Sequence, residues 1–179
     1  MLERIIINEE LHNVLIEASN SNNEYAGYLL GEITPAGIKL VNAAIGENET
    51  NNASVNYIPK KYWDQVQADP DKYVLLSVHS HSVKFGNKIR WCDPFWSVKK
   101  EPKTLEEKRQ FIQVSSAETD DGDVVEALHQ KAGIEYALFV HPCFGSVGET
   151  MAQEKAQVTA YKYNPSSIGK VKEIPLQIE

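Results

Sequence analysis

The stretch Tyr73-Val-Leu-Leu-Ser-Val-His-Ser-His81 constrains this chain most. It is an apolar run that ends in two imidazoles, and it reads as a strand. Successive side chains of a strand point to opposite faces, so His79 and His81, two positions apart, share a face. Neutral imidazole is the commonest protein metal ligand, and two on one rigid element already make half of a zinc site. The same pair also fits two plain surface histidines at a strand end. Further ligands decide between these readings.

At 179 residues and 42% hydrophobic, the chain suits one globular domain, 1–179, with a substantial core. No stretch approaches the ~20 consecutive apolar residues of a membrane-spanning helix. The opening Met-Leu-Glu-Arg-Ile-Ile-Ile-Asn has no cationic region leading into a long apolar one, so no secretory signal is expected. Cys92 and Cys143 are the only cysteines, which is no disulfide scaffold and suits a reducing cytoplasm. A net charge of −7 argues against a nucleic-acid partner, because a phosphate backbone calls for clustered Lys and Arg. The one basic stretch, Lys99, Lys100 and Lys103, is diluted by Glu101, Glu106 and Glu107 and reads as a solvated face.

Along the chain, Ile5 to Ile7 form a short strand. Asn8 is placed to cap a helix with Glu9 and Glu10 in its first turn and an apolar stripe of Leu11, Val14, Leu15 and Ala18. The polar run Ser19 to Asn23 stops that helix. Tyr25 to Ile33 reads as a strand, Pro35-Ala36-Gly37 as a turn, and Ile38 to about Ile45 as a second strand. Val55 to Ile58 is a short strand. Pro59 suits the first turn of a helix that carries Trp63 and Val66 and stops before Pro70. After the histidine strand, Val83 to Pro102 has no clear period. Thr104-x-x-Glu107 is a capping-box pattern opening a short helix to about Val114. Asp120 to Ala132 is a further helix with Gly133 beyond its end. Tyr136 to Val140 and Val158 to Tyr163 are strands, and Val171 to Ile178 is a last one, at an edge because of Pro175. The expected architecture is α/β or α+β, a single mixed β-sheet flanked by helices.

Upstream of the histidines, Glu24-Tyr-Ala-Gly-Tyr-Leu-Leu-Gly31 sets a carboxylate at the mouth of an apolar strand. A zinc hydrolase needs a metal that lowers the pKa of water and a nearby carboxylate that moves its proton. Most such glutamates are merely solvated. Yet Glu24-x-x-Gly27-x-Leu29-x-Gly31 followed by His79-Ser-His81 resembles the JAMM/MPN (JAB-domain) metalloprotease pattern. The order of elements from Leu2 to Tyr163 is similar too. The resemblance implies the MPN/JAB fold, which is cytidine-deaminase-like, and a zinc ion held by His79, His81 and an Asp. It also implies Glu24 as general acid/base and a serine that stabilises the oxyanion. The typical reaction of that family is hydrolysis of an isopeptide or peptide bond after the tail of ubiquitin or a similar protein.

Two departures stand out. Ser82 occupies the place of the proline that follows the second histidine, and the family's S-x-x-D has no clean match. Asp93 lies at the usual spacing beyond His81, but Arg90 stands where the serine belongs. Val114-Ser-Ser-Ala-Glu-Thr-Asp120 resembles the motif with one extra residue and directly precedes a helix and a strand. Asp120 is therefore the preferred third ligand, with Ser116 or Ser115 as oxyanion donor and an insertion at about 83–113. Asp93 comes next, then Asp121 or Asp123. His12, His129 and His141 need no role beyond structure, and Cys143 lacks a cationic activator. The cluster Phe85, Trp91, Phe95 and Trp96 reads as a small satellite core or as a lip for a protein partner. Three functions remain open: a zinc isopeptidase of ubiquitin-like conjugates, an inactive MPN-type scaffold that binds proteins, and a zinc hydrolase of small conjugates.

Overall fold

The computed structural model describes residues 3–18, 25–47, 58–80, 84–85, 88–89, 121–141, 157–167 and 169–179. They form an α/β structure with a mixed, nearly closed eight-stranded sheet. In chain order come β1 (Ile5–Ile7), α1 (Glu9–Ala18), β2 (Tyr25–Thr34), β3 (Gly37–Glu47), α2 (Lys60–Ala68) and β4 (Tyr73–Ser80). There follow β5 (Lys84–Phe85), β6 (Lys88–Ile89), α3 (Asp121–Ala132), β7 (Tyr136–His141), β8 (Gln157–Tyr163), β9 (Val171–Ile174) and β10 (Leu176–Ile178). The sheet order is β10-β1-β3-β2-β4-β7-β8-β9, and β5 and β6 make a separate hairpin. No described helix is long and apolar enough to cross a membrane.

The first helix forms where its cap requires. The Leu11 N–H donates to Asn8 Oδ1 at 2.7 Å, which satisfies one of the backbone donors a helix start leaves without a partner. Its inner face is Leu11, Leu15 and Ala18. Val14, expected in that stripe, is 44% exposed. The stripe bends round the helix to Ile16 instead. The second helix has Pro59 as its N-cap, one position before the expected first turn, and Tyr62 as its buried anchor. Trp63 faces outward and Val66 packs beside Tyr62. The third helix begins at Asp121, and Gly133 ends it in the left-handed region at φ +67°. There Gly133 N–H donates to the His129 carbonyl, the single bond of an αL cap, and Ile134 N–H donates to that of Leu128. The strand expected at Val55 to Ile58 and the helix expected from Thr104 lie outside the described residues, apart from Ile58, which precedes α2 without strand pairing.

The inner face of the sheet holds the larger core. Ile5, Ile7, Leu29, Ile38, Leu40, Leu76, Val78, Leu138, Val140, Val158, Ala160 and Ile174 come from seven strands and close around Leu15 of α1. Each of the Ile, Leu and Val side chains contributes on the order of 2 kcal/mol on leaving water. On the outer face, α2 and α3 cover Tyr28, Leu30, Leu75, Ala137, Phe139 and Tyr161. A bulge between Leu30 and Gly31 leaves Val41 of β3 as the extra residue, and it points outward, 41% exposed. Two glycines let β2 and its neighbours approach closely. A Cβ on Gly27 would lie 2.1 Å from the Ala44 carbonyl oxygen, and one on Gly31 would lie 2.4 Å from Ile38 Cγ2.

The segment expected as one last strand is two. Pro175 cannot donate a ladder hydrogen bond, and the chain changes partner there. β9 pairs antiparallel with β8 at one edge of the sheet, and β10 pairs parallel with β1 at the other. One residue thus links both edges, which is why the sheet curls almost into a barrel. The Ile5 N–H closes on the Pro175 carbonyl at 2.9 Å.

Candidate functional site

The strand ends that carry the motif residues are neighbours. β2 and β4 run antiparallel with Ala26 opposite His79, and β4 and β7 run parallel with Phe139 on the other side of His79. His79 is half-buried on the outer face of the sheet. The Phe139 ring meets its imidazole edge to face, with centroids 6.5 Å apart and planes at 86°. Tyr161 backs Phe139 at 5.3 Å. An aromatic wall therefore flanks the imidazole and restricts its rotation.

Ser80 points the other way, into the inner core, and is 1% exposed. Its Oγ accepts from the Tyr25 N–H at 2.8 Å and donates to the Tyr25 carbonyl at 3.5 Å. The Tyr25 phenol in turn donates to the Leu15 carbonyl at 2.8 Å. That carbonyl belongs to the last turn of α1, where backbone acceptors lack helical partners. Burial pushes the Tyr25 phenol well above its ordinary value, so it remains a donor. Sequence reasoning passed over this linkage. The available signal was a serine at an inward position between Val78 and the strand end.

The start of α3 is directed to the same end of the sheet. Leu128 packs with Leu75 and Ile134, while Val125, one turn earlier, packs with Phe139 and Ala137. Asp123, one of the alternatives for a third ligand, meets Lys170 Nζ at 2.8 Å, and Glu126 meets the same ammonium at 2.5 Å. The Asp123 and Glu126 carboxylates raise the Lys170 pKa above its ordinary value. Asp121 is the first residue of α3.

Of the expected ligands, His79 is described; His81 and Asp120 lie outside the described residues, as do Glu24, Ser115, Ser116, Ser82 and Asp93. Among the described residues no three His, Cys, Asp or Glu side chains come together as a metal group. Two imidazoles and one carboxylate would leave a fourth coordination position open, the donor chemistry of a catalytic zinc. His129, by contrast, stacks on Tyr163 with centroids 4.3 Å apart, a packing role. His141 is the last residue of β7, and His12 lies on α1. Most of the expected insertion and its aromatic cluster lie outside the described residues.

No family model matches the chain, and no curated protein matches it. Among solved structures it is similar to the solution structure of protein DSY2949 from Desulfitobacterium hafniense. The identity is 13% and the TM-score 0.42, over 98% of this chain and 92% of that one. A likeness of this degree carries no argument about activity, which rests on the residues themselves.

Proposed function

We propose that the chain is a zinc-dependent isopeptidase or peptidase that hydrolyses the bond after the C-terminus of ubiquitin or a ubiquitin-like protein, on an MPN/JAB-type fold. The observation that carries the proposal is the pairing of Ala26 with His79 at the meeting end of β2 and β4. Two positions before Ala26 in the chain is Glu24, and two after His79 is His81. In the sequence, the proposed general base and ligand pair therefore stand at or next to two strand ends that are neighbours. The course of α3 adds support for Asp120, which immediately precedes it, while the Asp123 carboxylate meets the Lys170 ammonium.

In this reading His79, His81 and Asp120 hold the metal. Zinc bound there would supply Lewis acidity and a water acidic enough to attack at neutral pH. Glu24 takes the proton of the attacking water and passes it to the leaving amine. The Ser116 hydroxyl donates to the oxygen on which charge develops. The aromatic wall of Phe139 keeps His79 in one orientation, as a ligand on a rigid element requires.

A second reading has its own observation. Gly27 and Gly31 are required by the close packing of β2, whatever the chain does, so half of the Glu24-to-Gly31 motif suits a protein-binding scaffold equally. Metal content separates the two. Protein purified without chelator is expected to hold about one zinc per chain, and His79→Ala or His81→Ala to lose most of it. Asp120→Ala should release the metal and abolish cleavage of a ubiquitin-like fusion, while Asp93→Ala keeps both. Wild-type protein that stays metal-free when supplied with zinc would leave the scaffold standing.

A further inference from the structure

We infer that Ser80 is a positioning residue: its buried hydroxyl sets the spacing of the two strand ends that lead into Glu24 and His81. The inference rests on the zinc-hydrolase reading above.

The ladder between β2 and β4 runs from Glu32 opposite Tyr73 to Ala26 opposite His79. Beyond that pair a side chain makes the connection. Both main-chain groups of Tyr25 meet one hydroxyl, the N–H as donor at 2.8 Å and the carbonyl as acceptor at 3.5 Å. Tyr25 is 3% exposed and Ser80 1%, so water cannot stand in for either partner. A buried N–H left without an acceptor is costly, and the strands would have to part or slide to relieve it. Tyr25 cannot yield freely, because its phenol is tied to the Leu15 carbonyl of α1.

Helix α1, strand β2 and strand β4 are therefore joined at one point. Glu24 is the residue before Tyr25, and His81 is the residue after Ser80. Each lies a single peptide unit from the joint. A general base and a metal ligand that follow from different strands need relative placement to about half an ångström, and a joint between those strands supplies it. The hydroxyl faces the inner core, whereas His79 faces outward. Ser80 therefore acts through the backbone and not on substrate or metal.

Threonine and valine at position 80 have the same shape and differ only in the hydroxyl, so their comparison isolates it. The zinc affinity of the full chain is measured by competition with a chromophoric chelator, using zinc alone as the probe. The Tyr25 amide is followed by hydrogen exchange in zinc-free protein. Ser80→Thr should keep wild-type protection at Tyr25 and bind zinc within about threefold of wild type. Ser80→Val should lose that protection and bind zinc about tenfold more weakly, the ratio expected for one buried hydrogen bond, with a zinc-free melting temperature matching the Thr variant. Equal zinc affinity in the Val and Thr variants overturns this inference alone. Wild-type protein that takes up no zinc overturns the hydrolase reading and this inference with it. If the Val variant does not fold, Ser80→Ala against wild type gives the same two readouts under the same criteria.

Discussion

Gly27 and Ala44 illustrate how little room β2 has. An added methyl at Gly27 meets a backbone oxygen, which cannot swing aside, whereas one at Gly31 meets a side-chain methyl of Ile38. Gly27→Ala should therefore cost about 3 kcal/mol or prevent folding, and Gly31→Ala nearer 1, both read from urea unfolding. If Gly27→Ala unfolds at the wild-type midpoint, the close approach of β2 and β3 is wrong. For Glu24 the expectation is chemical. Glu24→Gln removes the proton carrier but no ligand, so zinc content should stay near wild type while turnover falls by two or more orders of magnitude. Unchanged turnover would remove Glu24 from the mechanism. At this scale the sequence was half legible. The spacing of Glu24, Gly27, Leu29 and Gly31 is visible as a motif, yet only packing distinguishes residues the sheet demands from the one that would act. Ser80 was illegible because its hydroxyl serves a backbone 55 positions away.

Elements bounded by their own local chemistry were the most legible. Asn8 caps α1 and Gly133 closes α3 because the backbone groups they satisfy lie within a few residues. Asn8→Ala should lower stability by about 1 kcal/mol, measured as a shift in the denaturation midpoint without a change in slope. No shift would mean that water replaces the Asn8 carboxamide at no loss. Orientation around a helix was harder. Trp63 looks like the anchor of α2 from its size, but the anchor is Tyr62, which packs with Tyr28, Leu30 and Leu75 on the outer face of the sheet. Val14 was misplaced for the same reason: which face is inner depends on strands distant in the sequence. Pro175 marked an edge correctly. That it marks two edges follows only from the curl of the whole sheet, which no local pattern encodes.

The curl also brings together charges from distant parts of the chain. Lys162 of β8 meets Glu3 at 2.5 Å and lies over the Tyr136 ring, 5.5 Å from its centroid. The hydrogen bond from Lys162, with the charges of Lys162 and Lys172, holds the Glu3 carboxyl below its ordinary value of 4.5. A carboxyl lowered in the folded state contributes stability above that ordinary value and loses it as pH falls through the lowered one. The melting temperature of wild type should therefore exceed that of Glu3→Gln at neutral pH, and the gap should close as pH drops below 4.5. A gap that persists at pH 2 would assign the difference to packing. The link at Pro175 has a further consequence, for the order in which the protein is made. Arg4 and Gln177 hydrogen-bond across the β1–β10 pair although 173 positions separate them. A ribosome makes β1 long before β10. β1 can find β3 early, through Ile5 and Ile38, but its outer edge waits for Leu176, Gln177 and Ile178. Until β10 is made, the growing chain carries Ile5-Ile6-Ile7 with one bare strand edge, a template for stray pairing that Leu176, Gln177 and Ile178 cover.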